Sequence, residues 1–105
     1  MFYLVNAFSL NMINGDANLL VHHVDEKTAR ELAEVCVSAV GHADTARVFS
    51  EVLGVPVVCN RTTITLEKGD LALVGQYSGP RLPEGATSLP EGATIKWVVV
   101  GVKYV

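Results

Sequence analysis

The sequence has only two cysteines, no run of basic residues and no long apolar segment. Each of these features argues against a class of protein. Cys36 and Cys59 stand far apart in apolar surroundings and lack the spacing of a zinc site, so we expect both to be reduced, buried and structural. The net charge of -3, with no two basic residues adjacent, argues against binding DNA through its phosphates. No segment approaches the ~18 unbroken apolar residues of a membrane span.

The N-terminal residues MFYLVNAFSL lack the basic region of a secretion signal, and Asn6 interrupts their apolar run. We therefore expect this segment to be a strand and the protein to stay in the cytoplasm. Half of the 105 residues are hydrophobic, which suffices for one core. The chain is thus predicted to be a single domain over residues 1–105.

The apolar periodicity predicts an α/β (α+β-like) fold, with a mixed sheet of about five strands and about two main helices. Strands are predicted at residues 2–8, 19–24, 56–66, 71–77 and 95–105. The third and fourth form a hairpin about the turn EKGD, and the valine-rich last strand is typical of a central strand covered on both faces. One helix runs from its cap Asp25 to about Val37, and a second runs from about Ala43 until Gly54 closes it.

Polar side chains stand out at the end of the first strand, in NAFSLN. Asn6, Ser9 and Asn11 offer uncharged donors and acceptors where ligands bind in open α/β sheets. The alternative is that they only cap turns.

Two further polar groups follow. His42 precedes the second helix, where free N–H groups and the helix dipole favour a phosphate and the imidazole can supply a proton. Arg81, a bidentate phosphate binder, stands three residues before Glu84, with Gln76 in the preceding strand. The alternatives are a solvated or capping histidine and a surface ion pair.

A metal site is not indicated. His22 and His23 are adjacent on a predicted strand, so they point to opposite faces, and no carboxylates cluster. We expect any chemistry here to need neither a metal nor another cofactor.

The segments VNAFSLNM, VSAVGHADTARVFSEVLG, CNRTTITLEKGDLALVGQY and GPRLPEGA resemble, in this order and spacing, the viral ring nucleases, anti-CRISPR proteins that act against type III systems. The resemblance covers nearly the whole chain. It implies a two-fold homodimer in the host cytoplasm that cleaves cyclic tetra-adenylate, a small cyclic RNA messenger, to linear di-adenylate with a 2′,3′-cyclic phosphate.

The resemblance also assigns residues. The family's catalytic histidine falls on His42, and its paired arginine and glutamate fall on Arg81 and Glu84. The ligand-contacting positions fall on Asn6, Ser9, Asn11, Thr45, Arg61 and Gln76. Phe8, Met12 and Tyr77 are candidate walls for the adenines.

Two local features depart from the family pattern. Asp44 stands where many relatives carry a smaller neutral residue, and an acid beside a phosphate site is expected to weaken binding. The sequence LPEGAT occurs twice, which places Glu84 and Glu91 in identical settings. Only Glu84 lies three residues after an arginine, and Glu91 has Ser88 at that place, so Glu84 is the candidate.

A metal-free mechanism needs an aligned 2′-OH, a stabilised phosphorane and an acid for the leaving 5′-oxygen. His42 suits the acid role, Arg81 would hold the phosphorane oxygens, and Glu84 would orient Arg81 or assist the 2′-OH. The two-fold axis of the ring fits a two-fold dimer. Two alternatives stay open: a protein that binds a cyclic nucleotide without cutting it, and a viral interaction protein.

Overall fold

The computed structural model describes residues 1–105. In chain order its elements are β1 (Phe2–Val5), a 3₁₀ turn (Leu10–Met12), β2 (Ala17–Val24), α1 (Glu26–Ala33), β3 (Val37–Ser38), α2 (Ala43–Leu53), β4 (Leu71–Ser78) and β5 (Thr94–Tyr104). The strands form one sheet in the order β2-β5-β4-β1-β3. β1 runs parallel to β3 and β4, whereas β5 runs antiparallel to β4 and β2. The predicted class, one domain with a five-stranded mixed sheet and two helices, is confirmed.

Both helices pack on one face of the sheet. α2 buries Ala46, Phe49 and Leu53, which recur at helical spacing, against Leu73 of β4 and Trp97 of β5. The ring centroids of Phe49 and Trp97 lie 5.0 Å apart. Neither helix has the length and apolar character that crossing a membrane requires.

The helix boundaries follow their capping residues. Asp25 caps α1, accepting a hydrogen bond of 2.8 Å from the N–H of Thr28, which also lowers the pKa of Asp25. Gly54, with φ of +72°, ends α2. The prediction that the first helix extends to Val37 was wrong. α1 ends at Ala33, because residues 37–38 leave the helix to pair with β1 as the short strand β3.

No helix covers the opposite face of the sheet. Its core of Val74 and Val100 is covered by Ile64 and Leu66 from the chain after α2, and by parts of the loop after β1. Towards β2 the cover ends, and the apolar side chains there, Leu19 and Val21, are 41% and 51% exposed. β5 is an inner strand as predicted, but one of its faces is left partly open, with Val98 and Val102 half-buried.

The predicted strand at 56–66, and hence its hairpin with β4, was wrong. Only two isolated bridges involve this segment, Val40 with Cys59 and Ile13 with Leu66. Side chains take up its backbone groups instead, as the hydroxyl of Ser50 accepts from the N–H of Val57 at 2.8 Å, and that of Ser38 donates to the carbonyl of Val58 at 2.7 Å. β4 consequently pairs with β1 and β5.

The first strand is also shorter than predicted, because the chain turns out of the sheet after Val5.

The cysteines are both free, as expected, but they differ in burial. Cys36 is half-buried, and burial raises the pKa of its thiol to about 11. Cys59 is exposed, so its predicted burial was wrong, because the segment around it runs along the surface beside β3.

Candidate functional site

The carboxyl ends of β1, β3 and β4 meet at one edge of the sheet, and α2 begins at the same edge. In open α/β sheets this edge is where ligands bind. The predicted polar groups follow these strand ends in turn. Asn6 comes directly after β1, His42 lies between β3 and α2, and Gln76 belongs to the last residues of β4.

One groove at this edge, here named the His42 groove, has a volume of about 270 Å³. Its lining includes four of the predicted site residues: Asn6, Ser9, His42 and Arg61. The Asn6 side-chain oxygen accepts a hydrogen bond of 3.4 Å from the N–H of Gly41, which ties the end of β1 to the start of α2. Residues from three separate segments of the chain thus meet at one concave surface.

His42 occupies the N-cap position of α2, but its side chain makes no capping hydrogen bond. The capping alternative is therefore not realised, and the exposed imidazole lies beside the uncapped N–H groups of the first helical turn. Arg61 lies against Gly41, whose added Cβ would be 3.6 Å from the Cγ of Arg61. The guanidinium of Arg61 forms no ion pair, because the chain's two ion pairs join Met1 to Asp70 and Asp44 to Arg47. The groove combines a free cation, helix N–H groups and an imidazole, which suits a phosphate.

Arg81 and Glu84 line a second groove of about 490 Å³, together with Asp44, Leu82 and Pro83. We name it the Glu84 groove. Arg81 and Glu84 are both exposed and form no ion pair with each other, so the surface-pair alternative is not realised. Asp44 belongs to the first turn of α2, so each groove takes part of its wall from the beginning of that helix.

The remaining predicted residues are not brought to these two grooves. Gln76 lines a third groove of about 310 Å³, the sheet-face groove, with Phe8 and Lys96 among its neighbours. Thr45 and Asn11 line none of the three grooves.

Two of the predicted residues also make local hydrogen bonds, as the turn-capping alternative predicted for Ser9. The Ser9 hydroxyl accepts from the N–H of Asn11 at 3.2 Å and so caps the 3₁₀ turn, although Ser9 also lines the His42 groove. Of the candidate adenine walls, Met12 lines the His42 groove, while the hydroxyl of Tyr77 donates to the carbonyl of Pro80. No three histidine, cysteine or acidic side chains lie together in the chain as a metal site would need.

Two residues that line the grooves were not predicted from the sequence. Thr62 lines the His42 groove but was assigned to a strand, and Lys96 lines the sheet-face groove. The signal for Lys96 was its place opposite Gln76 in neighbouring strands, which becomes visible only once β4 and β5 are paired.

The chain is similar to proteins of archaeal viruses. A family model described as STIV B116-like matches residues 2–96. The solved structure of B116 of Sulfolobus turreted icosahedral virus (STIV) superposes with a TM-score of 0.81 and 25% sequence identity, covering 94% of this chain and 97% of that chain. No curated protein shows significant similarity. The family match spans every residue of the His42 and Glu84 grooves.

Proposed function

The chain belongs to the STIV B116-like family, and we propose that it is a metal-independent ring nuclease that cleaves cyclic tetra-adenylate to linear di-adenylate with a 2′,3′-cyclic phosphate. The observation that best supports this function is the composition of the His42 groove. An uncapped helix terminus, a free imidazole and an unpaired Arg61 share it. These groups match what phosphodiester cleavage needs, which is stabilisation of the phosphate charge and a proton for the leaving group.

In the proposed reaction the substrate's own 2′-oxygen attacks the adjacent phosphorus. The new 2′-O–P bond forms as the P–O5′ bond breaks, and His42 protonates the leaving 5′-oxygen. General acid catalysis of this kind typically contributes about 10² to 10⁴ in rate. Arg81 holds the phosphorane oxygens, and Glu84 is the carboxylate available to accept the 2′-OH proton or to orient Arg81. Destruction of the messenger would end type III CRISPR signalling, so the protein would act as an anti-CRISPR protein or as a moderator of the host's own response.

A two-fold homodimer is the form that we propose to be active. The ring has a two-fold axis, so two subunits can present two equivalent His42 grooves to one molecule. The sheet face without helices provides a surface for the second copy, since Leu19, Val21 and Val98 line the sheet-face groove and are incompletely covered. Burial of such apolar side chains favours association at about 25 cal/mol per Å² of surface.

The test is incubation of the purified protein with cyclic tetra-adenylate in EDTA, with products resolved by chromatography and mass spectrometry. We expect His42→Ala to lose cleavage while keeping most of the binding. Glu84→Ala should be impaired and Glu91→Ala should cleave normally. Glu91 is a matched control because both copies of LPEGAT form the same turn, with a hydrogen bond of 3.0 Å from Ala86 N–H to the Pro83 carbonyl, repeated between Ala93 and Pro90.

The outcomes separate the alternatives. If the ring is bound but stays intact, the protein sequesters the messenger rather than destroying it. If it is neither bound nor cut, the proposed activity is wrong for this chain, and a viral interaction protein is the better interpretation.

A further inference from the structure

The loop that carries Arg81 and Glu84 is attached to α2 by two side chains that the proposed reaction does not use. The carboxylate of Asp44 accepts hydrogen bonds from the backbone N–H of Gly85, at 3.2 Å, and from the guanidinium of Arg47. The Nε of Arg47 in turn donates to the carbonyl of Ala86 at 3.3 Å. We name this arrangement the Asp44–Arg47 clamp.

The clamp changes what Asp44 is expected to do. An unpaired acid beside a phosphate site would repel the ligand, but this carboxylate is neutralised by Arg47 and bonded to a backbone donor. It also lies in the first turn of α2, where the helix dipole favours a negative charge. The planar guanidinium of Arg47 carries several N–H donors in a fixed arrangement, and it bonds the carboxylate and the loop carbonyl at once.

The duplicated LPEGAT shows that the clamp is not needed to form the turn. Gly85 and Gly92 both have φ of +80°, the left-handed value that the third residue of this turn requires. The second copy reaches this conformation without Asp44 or Arg47, and it is held by Ala93, which is buried against Gly79. What the clamp adds to the first copy is therefore its position on α2.

We propose that Asp44 and Arg47 are positioning residues that hold Arg81 and Glu84 at a fixed place relative to His42. His42 lies two residues before Asp44 at the same end of α2, so the clamp fixes the loop to the rigid helix that also carries the proposed general acid, His42. The inference rests on the proposed function. A misplacement of about 1 Å can cost about 10²-fold in rate, so a loosened loop should reduce turnover more than affinity.

The experiment compares Asp44→Ala, Asp44→Asn and Arg47→Ala with the wild-type protein. The control is Glu51→Ala, which removes one acid from an exposed position of the same helix. We expect Asp44→Ala to lower kcat for ring cleavage by about 10- to 100-fold with KM changed less than about threefold. Asn keeps an acceptor oxygen for Gly85, so Asp44→Asn should recover most of the rate.

A second readout needs no substrate. In NMR hydrogen exchange, Asp44→Ala should shift the Gly85 amide resonance and speed its exchange, while the amide of Gly92 stays unchanged. An Asp44→Ala variant that binds the ring more tightly and cleaves it at least as fast as wild type overturns the positioning role. If wild type itself does not cleave the ring, the proposed function and the role in catalysis both fall, and the Gly85 amide alone decides whether the clamp holds the loop.

Discussion

Gly75 lies on the helix-covered face of β4, opposite Trp97 of β5 and against Phe49 of α2. A Cβ at this position would be 2.6 Å from Phe49 Cζ and 2.6 Å from Trp97 Cζ3. Since carbon atoms normally approach to about 3.5 to 4.0 Å, each ring would have to move by about 1 Å. Neither has room to do so, because Phe49 is 0% and Trp97 4% exposed in a close-packed core.

We therefore expect Gly75→Ala to lower the free energy of unfolding by about 3 kcal/mol, at the upper end of the usual cost of overpacking. For a domain of this size that loss corresponds to a fall in Tm of about 12 to 24 °C. The assay is urea denaturation followed by the fluorescence of Trp97, the chain's only tryptophan. α2 begins directly after His42, so a displacement of the two aromatic side chains beneath it should also slow the proposed cleavage of cyclic tetra-adenylate.

Gly101→Ala is the matched control, because its Cβ would be 3.2 Å from Cδ2 of Leu71, the end of a flexible side chain. We expect it to cost less than about 1 kcal/mol. If the two variants are equally stable, or if Gly75→Ala loses less than about 1 kcal/mol, the close packing inferred between α2 and the sheet is refuted.

Three further predictions concern the cysteines, the N-terminal ion pair and the open face of the sheet. At pH 8 an aromatic disulfide reagent should modify the exposed Cys59 quickly and Cys36 slowly, because a thiol with a pKa of about 11 is ionised to only about one part in a thousand; equal rates in the folded protein would contradict this. Hydrogen bonds from the N–H of Glu67 and then from the N-terminal ammonium lower the pKa of Asp70. The ionised carboxylate should therefore stabilise the fold above its unfolded-state pKa and lose that effect as pH falls through its lower, folded-state pKa. The difference in unfolding free energy between wild type and Asp70→Asn, measured by denaturation across pH, should disappear in acid, and a difference independent of pH would count against this role. Val21→Asp should give a folded monomer by light scattering with ring cleavage reduced at least about tenfold, and a dimer that persists would exclude the sheet face as the interface.

Local signals sufficed for the elements with strong periodicity. The apolar face of α2, its glycine C-cap and the Asp25 cap of α1 were all readable, because each depends on residues within a few positions of one another. The segment 56–66 was not readable in the same way. Its content of β-branched residues is typical of a strand, but the hydroxyls of Ser38 and Ser50, which lie 20 and seven residues before the groups they contact, bond its backbone instead.

The candidate site divides along the same line. His42 and Asn6 could be placed from the sequence because strand ends and helix starts lie at a common edge. The contact from Asp44 to Gly85 could not, since it depends on how a proline- and glycine-rich loop folds back onto α2. Sequence alone therefore gave Asp44 the opposite role from the one that its contacts favour.

The position of β1 in the sheet also bears on how the protein is made. β1 is the first strand to be synthesised, yet it lies between β3 and β4, and Phe2 pairs with Leu71. The pairing with β4 must close a loop of nearly seventy residues, which slows folding relative to local contacts. During synthesis the apolar β1 has no β4 to pair with until β4 leaves the ribosome, so a chain that stops before Leu71 exposes an unpaired strand edge and should aggregate.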